Sequence, residues 1–336
     1  MKKYVEKVDK WRVLKALSYL GNFFKNHKGS VNDNDLFIPV SDYMEGCDWE
    51  SEIRKTFSQS AIKRMSESNR RRYCLDFEDR PVEMLYCIWN APFARKKLAD
   101  WLCAKIREIL QESPLEKFCN ETFPVRLAEL QKTFALTDFD IEVLCVLAFV
   151  RNDMLTIVDG HNRQTDENDK AVFVAKCLDC DVSDVQAALD CKGKLRRYGC
   201  IDNEFDFNGR LFAFLNGISC EPLSSRYFKV CQEECLPWDF YGNLAEKHGE
   251  LIKSILRDSR SAGNILLYGA PGTGKTSFAK TIAGQLGRKC YIISQDTKMS
   301  DQSTSSPEHR FAALQICDIQ VDPAESLIIV DEADDM

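Results

Sequence analysis

The chain has 336 residues, of which 44% are hydrophobic and 29% charged, the usual balance of a globular protein with about two or three domains. Its net charge of −7 excludes a generally basic surface that coats nucleic acid, although a local basic patch is compatible with it. The N-terminus leads into no apolar signal core, and the longest uncharged apolar run, residues 143–150, is too short to cross a bilayer. We therefore expect a cytoplasmic protein with no membrane contact.

Fifteen cysteines, against four histidines, raise the question of disulfides or a metal site. An odd number of cysteines scattered over a long chain without a secretion signal argues against a disulfide framework. Cys177 and Cys180 form a C-x-x-C pair, but Cys191 and Cys200 do not repeat it, and a strong zinc signature has paired knuckles. Cys177 also fits the apolar face of a helix with Phe173, so we favour a buried structural thiol over a zinc ligand.

The first 120 residues carry two helical patterns. Apolar side chains recur every three or four residues over 4–26 and over 82–111, where Pro92 predicts a bend or a break. Between them lies the basic triplet Arg-Arg-Arg at 70–72, which could contact a phosphate backbone or an acidic partner but more often forms a solvated face or loop. We predict a helical N-terminal region over residues 1–120.

Residues 121–220 predict a domain of short helices. The apolar spacing favours a helix over 125–134. Thr137 with Asp140 resembles a capping box, with Asp in place of the usual Glu or Gln, that opens a helix over 141–150.

After a polar loop over 160–170, the pattern becomes helix, short turn, helix. Residues 172–180 form the first predicted helix of the pair, and Ser183 is the predicted N-cap of the second, which continues to 189. The segment then predicts strands of a wing over 198–207, a turn at Asn208-Gly209 and a last helix over 211–215 closed by Gly217. This arrangement looks like a winged-helix domain.

Winged helices often bind DNA, and the second helix of the pair would be the one that reads it. It carries Asp184, Gln186 and Asp190, whereas a DNA-reading helix presents Arg, Lys, Asn or Gln to base edges, so only Gln186 meets that demand. The basic residues come only after the helix, at Lys192, Lys194, Arg196 and Arg197. These could contact phosphates or form a solvated turn, and we favour a protein-contact or spacer role over DNA reading.

A linker over 221–235 leads into the last predicted domain, residues 236–336. Pro237 opens this domain, and a helical pattern covers 244–256. The apolar run over 265–268 then predicts a strand.

A glycine-rich loop follows this predicted strand. The sequence Gly-Ala-Pro-Gly-Thr-Gly-Lys-Thr at 269–276 matches G-x-x-x-x-G-K-T, and Phe278, Ile282 and Leu286 continue it as a helix. Strand, loop and helix in this order are the context that a phosphate-binding P-loop requires, so a ligand-free glycine turn is the weaker interpretation.

The residue types of the loop fit a nucleoside triphosphate. Glycines let the backbone N–H groups point inward at a helix N-terminus, which suits phosphate oxygens. Lys275 is placed to hold the β- and γ-phosphates, and Thr276 offers a hydroxyl to Mg²⁺. The candidate nucleotide-binding residues are Gly269, Ala270, Pro271, Gly272, Thr273, Gly274, Lys275, Thr276 and Ser277.

A second acidic element completes the predicted site. The run Leu-Ile-Ile-Val at 327–330 is typical of a buried parallel strand, and Asp331 stands at its carboxyl end, where ligands bind in open α/β sheets. Asp331 can hold Mg²⁺ together with Thr276, and Glu332 is suited to polarise an attacking water. Glu332 and Lys275 are therefore the candidate catalytic residues.

The two motifs, with the lead-in Asn-Ile-Leu-Leu-Tyr at 264–268, resemble the AAA+ ATPase family over about residues 236–336. The resemblance implies ATP and Mg²⁺ as ligands and self-association into a ring. It makes Lys275 and Thr276 the Walker A pair, Asp331 the Mg²⁺-organising acid and Glu332 the catalytic glutamate.

The family also places adenine near the segment before the first strand, so residues 239–242 are candidates for that contact. The whole chain resembles bacterial AAA-family ATPases of the remodelling type. The expected fold class is thus a multidomain protein, with a mainly α N-terminal part that includes a winged-helix-like segment, followed by a truncated α/β P-loop domain.

Residues 331–334 also spell D-E-A-D, the signature of a helicase family. That family predicts an A-x-x-G-x-G-K-T loop and a P-T-R-E-L segment between the two motifs. Here the loop begins with Gly269 and carries Pro271-Gly272, and nothing between Thr276 and Asp331 resembles P-T-R-E-L. We interpret the match as coincidence.

Two departures from the AAA+ pattern affect the function that we expect. Rings that thread protein usually carry an aromatic-apolar-Gly pore loop, but the corresponding residues 294–307 contain Met299 and neither an aromatic residue nor a glycine. The family's sensor asparagine, arginine finger and helical lid would lie beyond Met336. From this we expect an N-terminal fragment that is not by itself competent in hydrolysis.

The sequence therefore predicts an ATPase that, in the full-length protein, remodels a protein partner or complex. The alternative is a DNA-binding winged-helix regulator with a nucleotide-switch ATPase domain. A third hypothesis is a nucleotide binder that does not hydrolyse. The sequence names no protein substrate.

Overall fold

The computed structural model describes residues 9–31, 35–43, 48–57, 81–157, 167–219, 222–232, 235–257, 263–293 and 307–331. The chain divides into two compact units: the first unit comprises residues 1–128, 137–196 and 200–218, and the second unit comprises 129–136, 197–199 and 219–336. Within the described ranges, no helix is both long and apolar enough to cross a membrane. The predicted basic triplet at 70–72 lies outside the described residues.

The first unit is helical, and two of its helices, α6 and α10, also give residues to the second unit. Short 3₁₀ turns lie at Asp35–Phe37 and Leu115–Phe118. The helices are α1 (Lys10–Asn26), α2 (Ile38–Tyr43), α3 (Trp49–Thr56), α4 (Pro81–Trp89), α5 (Pro92–Glu112), α6 (Thr122–Phe134), α7 (Asp138–Arg151), α8 (Glu167–Leu178), α9 (Val182–Leu189), α10 (Lys194–Arg197) and α11 (Gly209–Leu215).

The core of the first unit is built around α1, whose apolar face packs against α5 and α8. Phe24 contacts Trp89, with ring centroids 5.3 Å apart, and Phe23 contacts Phe173 at 5.3 Å. The predicted helix over 4–26 is confirmed for residues 10–26. The predicted interruption at Pro92 is also confirmed, because α4 ends at Trp89 and Pro92 opens α5, where its missing N–H costs no hydrogen bond.

The predicted capping box at Thr137 is confirmed. The Asp140 N–H donates to Thr137 Oγ1 at 3.1 Å, and the Thr137 N–H donates to Asp140 Oδ2 at 2.9 Å. Both residues thereby satisfy amide groups that have no partner inside the helix, so α7 begins at Asp138. Its buried residues include Leu144 and Phe149.

The helix-turn-helix prediction holds for its helices but not for its N-cap. The structure places the N-cap at Asp181 rather than Ser183, because Asp181 still has extended backbone angles and Val182 is already helical. Two β-bridge partners, Ile201 and Phe207, stand where strands of a wing were predicted, and they form an isolated antiparallel bridge. The winged-helix assignment and the four predicted domain ranges therefore stay a prediction.

The predicted turn at Asn208-Gly209 is wrong. Asn208 is instead the N-cap of α11, since its Oδ1 accepts hydrogen bonds from the N–H groups of Arg210 at 2.9 Å and Leu211 at 3.3 Å. The closure of this helix at Gly217 is confirmed, and Gly217 has a φ of +73°. Asn and Gly favour both turns and helix ends, so their order along the sequence did not distinguish the two.

The second unit contains one mixed sheet with helices packed against it. A 3₁₀ turn at Leu223–Arg226 precedes the sheet, and a second one lies at Trp238–Tyr241. The remaining elements are β1 (Phe228–Val230), a π-helical turn (Ala245–Gly249), α12 (Glu250–Arg257), α13 (Lys275–Gln285), β2 (Lys289–Ile293), α14 (Pro307–Gln320) and β3 (Ser326–Ile329).

The sheet has the order β1-β2-β3 in the described part of the chain. β1 runs antiparallel to β2, and β2 runs parallel to β3, with Cys290 opposite Leu327 and Ile292 opposite Ile329. The predicted parallel strand over 327–330 is therefore confirmed, one residue earlier than expected. The predicted strand over 265–268 is not found, because residues 263–269 belong to no helix or strand.

The helix before the P-loop is confirmed, with one irregularity at the π-helical turn. An added Cβ at Gly249 would lie 2.2 Å from Cζ2 of Trp238, so the tryptophan ring leaves room only for glycine. Trp238 stacks on Phe278 of α13 with centroids 5.9 Å apart, and Tyr241 contacts the same ring at 4.9 Å. These aromatic contacts join the segment before the P-loop to the helix after it.

Candidate nucleotide-binding site

The glycine-rich loop adopts the backbone that its sequence predicts. Gly272 and Gly274 have φ angles of +77° and +81°, in the left-handed region that residues with a Cβ rarely adopt. A Cβ at either position would meet no atom within 4 Å, so the requirement for glycine is conformational rather than a matter of space. Gly274 is also the N-cap of α13, which places the loop directly at a helix N-terminus.

Lys275 is the first residue of α13, and its side chain folds back over the loop. Its Nζ donates to the carbonyl oxygens of Gly269 and Ala270, both at 3.0 Å. Thr273 Oγ1 donates to the Ala270 carbonyl at 2.8 Å and tightens the same turn. A primary ammonium and the first N–H groups of a helix thus converge on one loop, and both favour a bound anion such as a phosphate.

Thr276 and Asp331 meet, although 55 residues separate them along the chain. Thr276 Oγ1 donates to Asp331 Oδ1 at 2.9 Å, from the first turn of α13 to the residue pair that follows β3. A hydroxyl and a carboxylate oxygen at this separation are hard oxygen ligands of the kind that Mg²⁺ accepts alongside water and phosphate. The donor set fits Mg²⁺.

Arg310 is a site residue that the sequence did not reveal. Its side chain is buried in α14, and its Nη2 donates to the backbone carbonyl oxygen of Asp331. Asp331, just after β3, is therefore hydrogen-bonded both to Arg310 of α14 and to Thr276 of α13. The contact between a guanidinium and a distant carbonyl does not change the spacing of apolar residues along the sequence. No sequence signal therefore identifies Arg310.

The structure brings most of the predicted site together. The loop residues from Gly269 to Thr276 and the acid Asp331 form one cluster, and Ser277 lies half-buried in the first turn of α13. Glu332 lies outside the described residues, as do residues 294–306 of the expected pore-loop stretch. Across the described ranges, no group of three or more His, Cys, Asp or Glu could hold a metal, so the candidate Mg²⁺ site depends on one carboxylate and one hydroxyl.

The candidate adenine segment, residues 239–242, lies beside the helix that carries the P-loop. Tyr241 packs on Phe278, and its Oη is 3.3 Å from Thr281 Oγ1. Sequence reasoning missed the anchoring role of the aromatic residues Trp238 and Tyr241. The signal available was the cluster Trp-Asp-Phe-Tyr directly after Pro237.

Comparison with known proteins places the same residues in one family. The model of the ATPase family associated with various cellular activities (AAA) matches residues 265–336. The Holliday junction branch migration complex subunit RuvB of Prochlorococcus marinus is 40% identical over 72 residues, which are 20% of this chain and 20% of RuvB. The match thus spans about a fifth of that relative's length. No solved structure is significantly similar to the chain.

The family match begins at the lead-in to the P-loop and includes Lys275, Thr276 and Asp331, the groups that the fold brings together. Residues 265–336 of this chain are therefore a segment of the AAA family of P-loop ATPases.

Proposed function

We propose that the second unit binds ATP with Mg²⁺ and that the intact protein hydrolyses ATP to remodel a protein partner. The observation that carries this proposal is the 2.9 Å contact between Thr276 and Asp331, which brings the predicted phosphate loop and the predicted metal acid into one site. The AAA match over the same residues supports an ATP-driven activity.

Each group of the site has a role in this proposal. The ammonium of Lys275 and the N–H groups at the start of α13 hold the phosphates. Thr276 and Asp331 hold Mg²⁺, which neutralises charge on the phosphate oxygens when it is bound. Glu332, which follows Asp331 in the sequence, orients the water that attacks the γ-phosphate in line with the leaving oxygen.

Self-association into a ring is part of the proposal, and the exposed apolar side chains of the second unit support it. Large apolar side chains of this unit are exposed, among them Leu266, at 77%, and Tyr268, at 90%. These two residues belong to one apolar run, 265–268, and contiguous exposed apolar side chains mark surfaces that associate. We therefore include self-association of the intact protein in the proposal, together with a cytoplasmic location.

A protein partner is favoured over DNA by the surface of α9. Asp184, Gln186 and Asp190 are exposed on or next to this helix, and the Gln186 amide already donates to Asn168 Oδ1 at 3.0 Å. Two acids beside the single amide oppose binding to a phosphate backbone. We propose that the predicted winged helix contacts protein or acts as a spacer.

The second candidate function is a DNA-binding regulator whose ATPase acts as a nucleotide switch. One observation favours it: the name of the matching relative refers to a Holliday junction complex. A gel shift with duplex DNA at several salt concentrations distinguishes the two functions, since phosphate contacts give a steep loss of affinity with salt. Salt-sensitive binding would favour the switch, and no binding favours the remodeller.

The nucleotide site is tested by titrating the intact protein with a fluorescent ATP analogue. We expect Lys275→Ala to abolish saturable binding, because the variant loses the ammonium that faces the phosphates. Lys289→Ala is the matched control: this lysine is exposed on β2, and we expect the variant to bind like the native protein. Equal affinity in the Lys275 variant would remove the phosphate-binding assignment.

A further inference from the structure

Two cysteines of the second unit face each other across the sheet. The register of β1 and β2 pairs Val230 with Tyr291, so the next residues, Cys231 and Cys290, stand opposite. The Cys231 N–H donates to the Cys290 carbonyl oxygen at 2.8 Å, which shows that the pairing continues to this position. One of the two hydrogen bonds of a narrow antiparallel pair is therefore present at this position. Residues that exchange both bonds have Cα atoms about 5.5 Å apart, a separation within the usual range of disulfides.

The two thiols also point to the same side of the sheet. Directly opposite residues share a face, and this face carries Cys290 with Ile329 against Ala283 of α13, with Cys231 packed at its edge. Cys231 is near enough to Cys290 to contribute to the raised pKa of the Cys290 thiol. The pair therefore lies in the layer between the sheet and the helix that carries the P-loop.

The two cysteines differ in access to solvent. Cys290 is buried, whereas Cys231 is half-buried at the sheet edge. Burial, together with the nearby Cys231, raises the pKa of the Cys290 thiol to about 12. An oxidant in solution thus reaches Cys231 first, and Cys290 is the buried partner that completes a bond.

We propose that Cys231 and Cys290 form a reversible disulfide that ties β1 to β2 behind the P-loop helix. With glutathione disulfide as the oxidant, the Cys231 thiolate attacks one glutathione sulfur and releases one glutathione thiolate. The Cys290 sulfur, after losing its proton, then attacks Cys231 and releases the second glutathione. Two protein thiols are oxidised to one disulfide, and one glutathione disulfide is reduced to two thiols.

A third thiol lies nearby and is the main competitor. Cys235 is exposed, and its Sγ donates to the Lys280 carbonyl of α13 at 3.3 Å. It lies four residues further along the chain, whereas Cys231 directly follows the last register pair, Val230 with Tyr291, and its N–H donates to the Cys290 carbonyl oxygen. A single local pair of this kind is compatible with the absence of a disulfide framework in the sequence, because cysteines that pair reversibly act as redox sensors rather than as structural links.

The test is peptide mapping of the intact protein, equilibrated with reduced or oxidised glutathione and then alkylated without reduction. Trypsin releases residues 230–247 and 290–298, and a second protease that cuts after glutamate separates Cys231 from Cys235. We expect peptides containing Cys231 and Cys290 to be linked in oxidised glutathione and separate in reduced glutathione. A link through Cys235, or no link at all, would overturn the proposal.

Single cysteine variants test which thiols form the link. Cys231→Ser and Cys290→Ala should both abolish the link, whereas Cys235→Ser and Cys191→Ser, at exposed positions, should retain it. The half-buried Cys231 variant keeps the test independent of how well the buried Cys290 variant folds. Persistence of the linked peptide in Cys231→Ser would contradict the assignment.

The rate of closure provides a second readout. Because the Cys290 thiol must lose its proton, we expect the glutathione adduct on Cys231 to resolve about tenfold faster for each unit of pH rise below the pKa of Cys290. A rate that does not change with pH would show that Cys290 is not the attacking group. Neither the peptide mapping nor the rate of closure depends on nucleotide binding. The proposed disulfide is therefore tested independently of the proposed function.

Discussion

The two units of this chain differ in how many large apolar side chains they expose to solvent. Fourteen large hydrophobic residues are exposed in the described part of the chain, and eleven of them belong to the smaller second unit. The three in the first unit are Phe93, Val125 and Ile218. The second unit, which carries the candidate nucleotide site, thus leaves more of its large apolar side chains exposed than the first unit does.

From this difference we expect the free energy of unfolding and the binding of nucleotide to depend on different units of the chain. We expect substitutions in the core of the first unit to change the free energy of unfolding and leave nucleotide binding alone. Substitutions in the loop and acids of the second unit should change nucleotide binding or ATP turnover.

The largest effect is expected at Glu332. Glu332→Gln should lower ATP turnover of the intact protein by about 10²–10⁴-fold, because the amide cannot act as the base for the attacking water. Nucleotide affinity and the melting temperature should stay close to native. Glu325→Gln, at an exposed turn on the opposite end of β3, is the control with native turnover. Unchanged turnover in the Glu332 variant would remove its catalytic assignment.

In the first unit, Trp89→Ala should lower the free energy of unfolding by about 3–5 kcal/mol, as expected for a large aromatic side chain removed from a core. Trp89 is fully buried, contacts Phe24, and donates from Nε1 to the Gly29 carbonyl at 3.1 Å. Denaturant unfolding measures the loss. Phe93→Ala, at 73% exposure, should change it by less than about 0.5 kcal/mol. Weakened ATP binding by the folded Trp89 variant would contradict the separation.

The stability of the first unit should also depend on pH through His27. Burial, and next the nearby Lys176, lowers the pKa of His27 from 6.5 to about 4. The unfolded chain therefore binds a proton at a higher pH than the folded chain. Stability is fully present above pH 6.5 and falls as the pH drops from 6.5 to about 4.

We expect this loss to reach about 2 kcal/mol, reduced from the full value of the shift because the ring is partly exposed. Urea unfolding at a series of pH values measures it. His27→Gln should remove that part of the pH dependence. An identical pH profile in the variant would assign the dependence to another group.

The smallest predicted effect compares two glycines of the second unit. Gly274 and Gly287 have φ angles of +81° and +65°, and a Cβ at either would meet no atom within 4 Å. Alanine at each should therefore cost a similar free energy of unfolding, about 1–2 kcal/mol. Only Gly274→Ala should also weaken ATP binding, because Gly274 shapes the loop. Equal loss of affinity in both variants would mean that binding follows stability alone.

Features set by residues close together in the sequence could be predicted. Thr137 and Asp140 form the capping box that their spacing indicated, and residues 269–276 form the glycine loop. Both depend on the conformations available to a few adjacent residues. The position of Asp331 at the end of a parallel strand was also predicted correctly, from the four apolar residues that precede it.

Features set by distant partners could not be predicted. The run over 265–268 has the composition of a strand, but composition does not specify the neighbour whose hydrogen bonds make a strand. The contact of Arg310 with the Asp331 carbonyl depends on how α14 packs, and the opposition of Cys231 and Cys290 depends on the sheet register. Glu332 stays a prediction from its place in the sequence.

The packing of Trp238 has a spectroscopic consequence. The chain has five tryptophans, and four of them, Trp11, Trp49, Trp89 and Trp101, belong to the first unit. Trp238 is the one in the second unit, and its indole stacks on Phe278 of the helix that begins in the P-loop. With the other four replaced by phenylalanine, its emission would report changes at the candidate nucleotide site without any attached dye.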